Sequence, residues 1–143
     1  MTRIAQCCCG SLRAEVSGDP VHVIACHCNE CQRRTGSVLG VGAYYKKEQV
    51  EIAGRNKVFV RDAPEGRKVR NHFCPECGTP LFWEAERAPG IIGIAVGTFA
   101  DPDFPPPGIS FFEKYKHRWV EFNHELERFP QRTTSPLWTV TNP

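Results

Sequence analysis

Apolar and polar positions alternate along most of this chain with the period of two that strands require. Leu12, Ala14 and Val16 alternate with polar residues, and Ser17-Gly18-Asp19-Pro20 closes that run as a turn. Val21 to Ala25 is apolar apart from His22. Val38 to Tyr45 reads as a strand in which Gly40 and Gly42 mark bulges or a close backbone approach. Val50 with Ile52, then Val58 to Val60, predict two short strands around Gly54-Arg55-Asn56, and Ala63-Pro64-Glu65-Gly66 predicts a turn. Lys68 to Phe73 and Leu81 to Trp83 flank a pair of cysteines. Ile91 to Phe99 is the most apolar strand and is expected at the centre of a sheet.

The second half carries more proline. Asp101 to Gly108, with Pro102, Pro105, Pro106 and Pro107, can be neither helix nor central strand and is expected to be a rigid loop. Ser110 to Tyr115 and Trp119 to Phe122 are read as strands. Phe111, Phe112, Tyr115 and Trp119 would form a protein-binding surface if exposed, but their alternation is equally that of a packed core, which is the favoured reading. Helix is limited to a turn over Gln32 to Gly36, ended by the glycine, and a short piece around His124 to Phe129. These elements make the chain mainly β.

Composition adds boundaries rather than identity. With 143 residues the chain suits one domain over 1–143, whose motif-bearing core runs from about 4 to about 122. Its net charge of +2 is too small to argue for nucleic acid or an acidic membrane surface. No apolar run approaches the ~18 residues of a membrane span, and Met1 to Gln6 holds no hydrophobic signal segment, so a cytoplasmic location is expected.

Eight cysteines change the picture. Seven fall into three clusters: Cys7-x-Cys9, Cys26-x-Cys28-x-x-Cys31 and Cys74-x-x-Cys77. Thiolates two or three residues apart converge on one soft cation without distorting the chain, and tetrahedral zinc is the usual occupant. A disulfide framework is the competing reading; a reducing compartment and the Cys-x-Cys spacing argue against it. Pairing the first cluster with the last gives a closed four-sulfur structural zinc site on Cys7, Cys9, Cys74 and Cys77. Its halves lie about sixty residues apart, so the metal would close a long loop. An iron–sulfur cluster or an empty site are the alternatives there. Gly78 and Gly10 follow the two halves and can turn backbone amides toward the sulfurs. Cys8 stands outside the clusters and reads as a small apolar filler.

The middle cluster is one ligand short. Cys26, Cys28 and Cys31 would hold a second zinc with a vacancy, and an incomplete protein shell is what distinguishes a catalytic zinc from a structural one. A thiol entering that vacancy would be held as its thiolate. His27 is awkward as the fourth ligand, because neighbours on an extended strand point opposite ways. A remote His72, His117, His124 or Cys8 could close the site instead. His22 and these other histidines read as surface or hydrogen-bonded residues. Arg33 and Arg34 follow the cluster, where they either form a solvated face or pair with substrate carboxylates.

The chain resembles the glutathione-dependent formaldehyde-activating family, which also includes centromere protein V. The resemblance rests on Cys7-x-Cys9-Gly10, Cys26-His27-Cys28-x-x-Cys31-Gln32-x-x-Thr35-Gly36 and Phe73-Cys74-x-x-Cys77-Gly78-x-x-Leu81. Val96-Gly97-Thr98-Phe99-Ala100-Asp101-Pro102 and Lys116-x-x-Trp119 add to it. It implies a β-tent of stacked antiparallel sheets, shared with methionine sulfoxide reductase B and stabilised by zinc. It also implies two Zn²⁺ per chain, structural on Cys7, Cys9, Cys74 and Cys77 and catalytic on Cys26, Cys28 and Cys31. The implied activity is that of a carbon–sulfur lyase, S-(hydroxymethyl)glutathione synthase, joining a thiol such as glutathione to an aldehyde, formaldehyde. His27 or Glu30 could supply the acid by position. Two departures stand out: Ser110 occupies a position where the family often has histidine, and the chain is short for a glutathione-specific member.

Three functions compete at this stage. The first is an enzyme acting on a thiol/aldehyde adduct at the open zinc. The second is a non-catalytic interaction module with both zincs structural. The third is a sulfoxide-type reductase, ranked last because only Cys8 is free to be its nucleophile.

Overall fold

The computed structural model describes residues 1–63 and 66–132. Strands β1 (Thr2–Gln6), β2 (Arg13–Ser17) and β5 (Val50–Ala53) form a small antiparallel sheet in the order β1-β2-β5. The larger sheet holds β3 (His22–Cys26), β4 (Gly40–Lys46), β6 (Lys57–Asp62), β7 (Lys68–Phe73), β8 (Pro80–Ala85), β9 (Ile91–Ala95), β10 (Ile109–Phe111) and β11 (Glu127–Arg128). Its order is β11-β10-β3-β4-β9-β8-β7-β6, so β9 is interior as its apolar composition requires. Pairing is antiparallel except where β10 lies parallel to both β3 and β11.

The sheets stack, as expected. Leu12, Ala14 and Val16, all fully buried, face Val23, Ala43, Tyr45, Leu81, Ile92 and Ile94 across a shared core. The polar residues of β2 point outward, which is the alternation seen in the sequence. The far side of the large sheet carries a second cluster of Ile24, Ala88, Ile91, Ile109 and Phe111. Being covered on both faces, β3 is apolar without alternation.

Several expectations are corrected. The strand expected over 91–99 ends at Ala95, and Val96–Phe99 forms a 3₁₀ turn in which the Thr98 hydroxyl donates to the Ala95 carbonyl at 2.5 Å. The strand expected over 110–115 ends at Phe111, because Phe112 takes a left-handed φ of 59° and Glu113–Tyr115 coil into another 3₁₀ turn. The segment expected to be a strand at 119–122 is turned instead, with Val120 N–H bonded to the His117 carbonyl. The helix expected around 124–129 is absent: Glu127 and Phe129 give their N–H groups to Gly108 and Ser110, building β11. The expected aromatic core is only half right. Phe111 is buried, but Tyr115 is 41% and Trp119 73% exposed.

The helical turn expected at 32–36 is real and longer, α1 (Asn29–Thr35), ending at Gly36. The proline loop over 101–108 is irregular, as expected. Within the turn expected at 63–66, Pro64 and Glu65 lie outside the described residues. No described helix is long and apolar enough to cross a membrane.

Candidate metal centres

The turn between β1 and β2 and the turn between β7 and β8 meet edge to edge, bringing Cys7, Cys9, Cys74 and Cys77 together. Their sulfurs all lie within 4.8 Å of one another. Cys7 and Cys9 sulfurs are 3.6 Å apart and Cys9 and Cys74 are 3.7 Å apart. A tetrahedron with Zn–S bonds of about 2.3 Å has sulfur edges of about 3.8 Å, so the four fit such an ion. Each half is shaped by its own backbone. Leu12 N–H points at the Cys7 sulfur at 3.2 Å, and Glu76 and Cys77 N–H groups point at Cys74 at 3.4 and 3.5 Å. Gly78 takes φ 78° and Gly10 φ 81°, as their place after each half predicts.

Two hydroxyls that the sequence reading missed also join this site. Ser11 Oγ lies 3.1 Å from Cys9 and 3.3 Å from Cys74, and Thr79 Oγ1 lies 3.2 Å from Cys77. The Thr79 hydroxyl, then amides of Thr79 and Cys9, holds the Cys77 thiol down to about 5. Cys8 is exposed rather than a buried filler. Its N–H donates to Thr79 Oγ1 at 3.1 Å, and its sulfur belongs to neither cysteine group.

The second centre is built where β3 runs into α1. Cys26 ends the strand, Cys28 caps the helix and Cys31 lies in its first turn, with the Cys31 N–H donating to the Cys28 sulfur at 3.3 Å. The three sulfurs are mutually within 4.8 Å. Such crowding prevents free thiols from ionising independently. Contacts from Cys26 and then Cys31 hold Cys28 down to about 2, while Cys28 and then Cys31 push Cys26 far up. A cation relieves that conflict, because it lets all three carry charge at once.

Among the described residues, no fourth Cys, His, Asp or Glu completes this group. His27 is fully buried, with Nε2 3.0 Å from Ser110 Oγ, so it is neither a ligand nor a group exposed to the site. His72 lies between Asn56 and Glu84, His117 bonds Gln32, and His124 bonds the Pro107 carbonyl. His22 is half-buried in β3.

Beside α1 opens a cleft of about 440 Å³, with Glu30, Arg33, Arg34, Phe59, Arg61 and Phe73 among its walls. Glu30 is at the rim, 3.7 Å from Arg33. Phe59 and Arg61 come from edge strand β6, and only their arrival by sheet pairing identifies them; no local motif does. Tyr44, Trp83 and Arg87 were missed for the same reason. Burial first, then the charges of Cys31 and Cys26, pushes the Tyr44 phenol up to about 12. Burial chiefly lowers the pKa of Arg87, with the Cys26 sulfur opposing.

Residues 2–115 match the family model described as glutathione-dependent formaldehyde-activating enzyme. The chain belongs to that family. Among its relatives, a Fusarium vanettenii protein named "Putative glutathione-dependent formaldehyde-activating enzyme" is 32% identical over 92 residues, covering 62% of this chain and 48% of the fungal one. A Colletotrichum graminicola protein of the same name is 29% identical over 62% of this chain and 47% of its own length. This family member therefore spans about half the length of the curated relatives it matches. A crystal structure of a Rhodobacter sphaeroides protein superposes with a TM-score of 0.54 at 20% identity, covering 72% of this chain and 91% of that one; it speaks to the fold alone.

Proposed function

We propose that this chain is a zinc-dependent carbon–sulfur lyase-type enzyme that forms and cleaves a thiol/aldehyde adduct, in the manner of S-(hydroxymethyl)glutathione synthase. The observation that carries the reading is the asymmetry of the two cysteine groups: four sulfurs close one, and the other has three, with Glu30, Arg33 and Arg34 of the same helix lining a cleft. In this reading Cys7, Cys9, Cys74 and Cys77 hold a structural Zn²⁺, and Cys26, Cys28 and Cys31 hold a catalytic one. Bound there, zinc would supply Lewis acidity that favours the thiolate form of an incoming thiol. Glutathione and formaldehyde, in the names of the family and its relatives, are the substrate pair to try first.

The chain's own residues do the rest. The cleft holds the body of the thiol against Phe59 and Phe73, and the guanidiniums of Arg33 and Arg61 favour an anionic one. Holding sulfur and carbonyl carbon together supplies much of the rate, since two reactants become one bound pair. His27 does not act as the acid here, because it is enclosed with Ser110; Glu30 remains at the cleft rim.

The test is Cys28→Ser, with metal content and thiol-dependent turnover of formaldehyde measured on the same sample. Loss of about one metal per chain together with turnover supports the reading. Turnover persisting after that metal is gone would end it. A purely structural role for both metals is the competing reading, and exposed Trp119 is the observation in its favour.

A further inference from the structure

Adjacent arginines on α1 have opposite surroundings. Arg33 is 76% exposed and pairs loosely with Glu30. Arg34 turns inward, and its guanidinium carbon lies 4.2 Å from the centre of the Trp83 ring. Arg34 Nη1 is shielded from solvent and has no hydrogen-bond partner among the described residues. A charged donor in that state calls for an acceptor, which a substrate oxygen would supply.

The position of Arg34 is set by a stack. An ideal Cβ on Gly93 would stand 2.4 Å from Trp83 Nε1, and one on Gly42 would stand 2.6 Å from Cζ2, so the indole lies directly on the backbones of β9 and β4. Its Nε1–H donates to the Tyr44 hydroxyl at 3.3 Å across Gly93. The ring can therefore neither sink nor swing, and Arg34 rests on it as on a plate. A side chain at Gly40 would meet Arg34 Nη2 at 2.7 Å and the Cys31 Cβ at 3.4 Å, so the guanidinium and the open cysteine group flank one point.

We propose that Arg34 is a catalytic residue, the donor that receives the negative charge developing on the aldehyde oxygen, and that Trp83 is its positioning residue. This rests on the lyase reading above. In the forward direction the thiol gives its proton to solvent, and a sulfur lone pair forms the S–C bond to the carbonyl carbon. The C=O π pair moves onto oxygen, and that alkoxide then takes a proton from water. RSH and CH₂O become RSCH₂OH with nothing oxidised or reduced. Arg34 donates hydrogen bonds to the oxygen without giving up a proton, because a guanidinium stays charged throughout. Its place beside Cys31 suits the oxygen one carbon from sulfur. Arg33, at the rim, suits a carboxylate farther along the thiol.

The experiment compares the zinc-loaded full chain with Arg34→Gln and Arg34→Lys, using formaldehyde and three thiols: glutathione, cysteamine and 2-mercaptoethanol. Adduct formation and cleavage are followed by NMR exchange, and metal content is measured beside them. The expected result for Arg34→Gln is a kcat lower by on the order of 10²-fold with all three thiols, KM within about twofold, and two metals retained. Arg34→Lys keeps the charge but not the fork and should recover part of the loss. A loss confined to the KM for glutathione would overturn the assignment in favour of a carboxylate clamp. Wild-type turnover in Arg34→Gln, or loss of one of its metals, would also overturn it. A wild-type chain inert with every thiol would sink the lyase reading and this one together, whereas an active wild type matched by Arg34→Gln sinks this one alone.

Discussion

His27 Nε2 meets Ser110 Oγ at 3.0 Å, and both residues are fully buried although 83 positions separate them. The Ser110 hydroxyl donates to Glu113 Oε2 at 2.7 Å, so its lone pair accepts from His27 and the imidazole carries its proton on Nε2. Arg128 holds the same carboxylate oxygen at 3.0 Å. The main chain adds to this, since His27 N–H bonds the Phe111 carbonyl and Gln32 Nε2 bonds the His27 carbonyl. The segment from Cys26 to Cys28 is thus pinned to β10 by side chain and backbone together.

Ser110→Ala should therefore destabilise the fold by about 1–3 kcal/mol, because a buried imidazole loses its acceptor and Glu113 a donor. Urea unfolding of the metal-loaded protein measures it, and Ser110→Thr, which keeps the hydroxyl, should recover most of the loss. A change under about 0.5 kcal/mol for Ser110→Ala, the range of an ordinary surface substitution, would show that the contact matters little.

Gly93→Ala should also destabilise by about 1–3 kcal/mol, since the new methyl overlaps the indole of Trp83. Trp83 would have to leave its plate, and the stacked Arg34 with it. Indole fluorescence reports the first movement and thermal unfolding the cost. An unchanged spectrum would mean that the sheet yields instead.

With zinc in both cysteine groups, as proposed, the two ions should leave at different rates. A chelator titration of the zinc-loaded chain should release one equivalent at least tenfold faster than the other, because a three-sulfur site offers one fewer protein bond to break. Cys77→Ser should slow-release nothing and lower thermal stability sharply, while Cys28→Ser should abolish the fast phase alone. A single release rate for both equivalents would contradict this.

Alkali should weaken the fold through Tyr44. Burial, then the charges of Cys31 and Cys26, pushes its phenol up to about 12 from the 10 of an exposed tyrosine, so the unfolded chain loses its proton first. Stability from this group is complete below pH 10 and disappears as pH rises to about 12. Tyr44→Phe should flatten that part of the stability–pH curve, read by denaturant unfolding at stepped pH.

Trp119→Ala should change stability by under about 0.5 kcal/mol, as its ring is mostly in solvent. A larger loss in urea unfolding would restore the packed-core reading of that segment.

Local spacing made the cysteine groups legible. Cys26, Cys28 and Cys31 converge through a strand end and one helical turn, which needs no knowledge of distant chain. β2 was legible because one face is buried and the other wet, and of the two readings given for Gly42, a bulge or a close approach, the close approach holds, since the Trp83 ring lies against it. Residues 109–129 were not. Their order depends on parallel pairing of β10 with β3, and on a left-handed Phe112 that no pattern of apolar residues announces. The cleft was illegible for a similar reason: Phe59, Arg61 and Asn71 reach it only because β6, β7, β8 and β9 lie side by side.

The four-sulfur clasp also sets an order of events during synthesis. The strands of the small sheet end at Ala53, yet the clasp that fastens their first turn needs Cys74 and Cys77. With a metal held there, the first turn of a nascent chain could be fastened no earlier than the emergence of the β7–β8 hairpin, which carries the second half of the clasp.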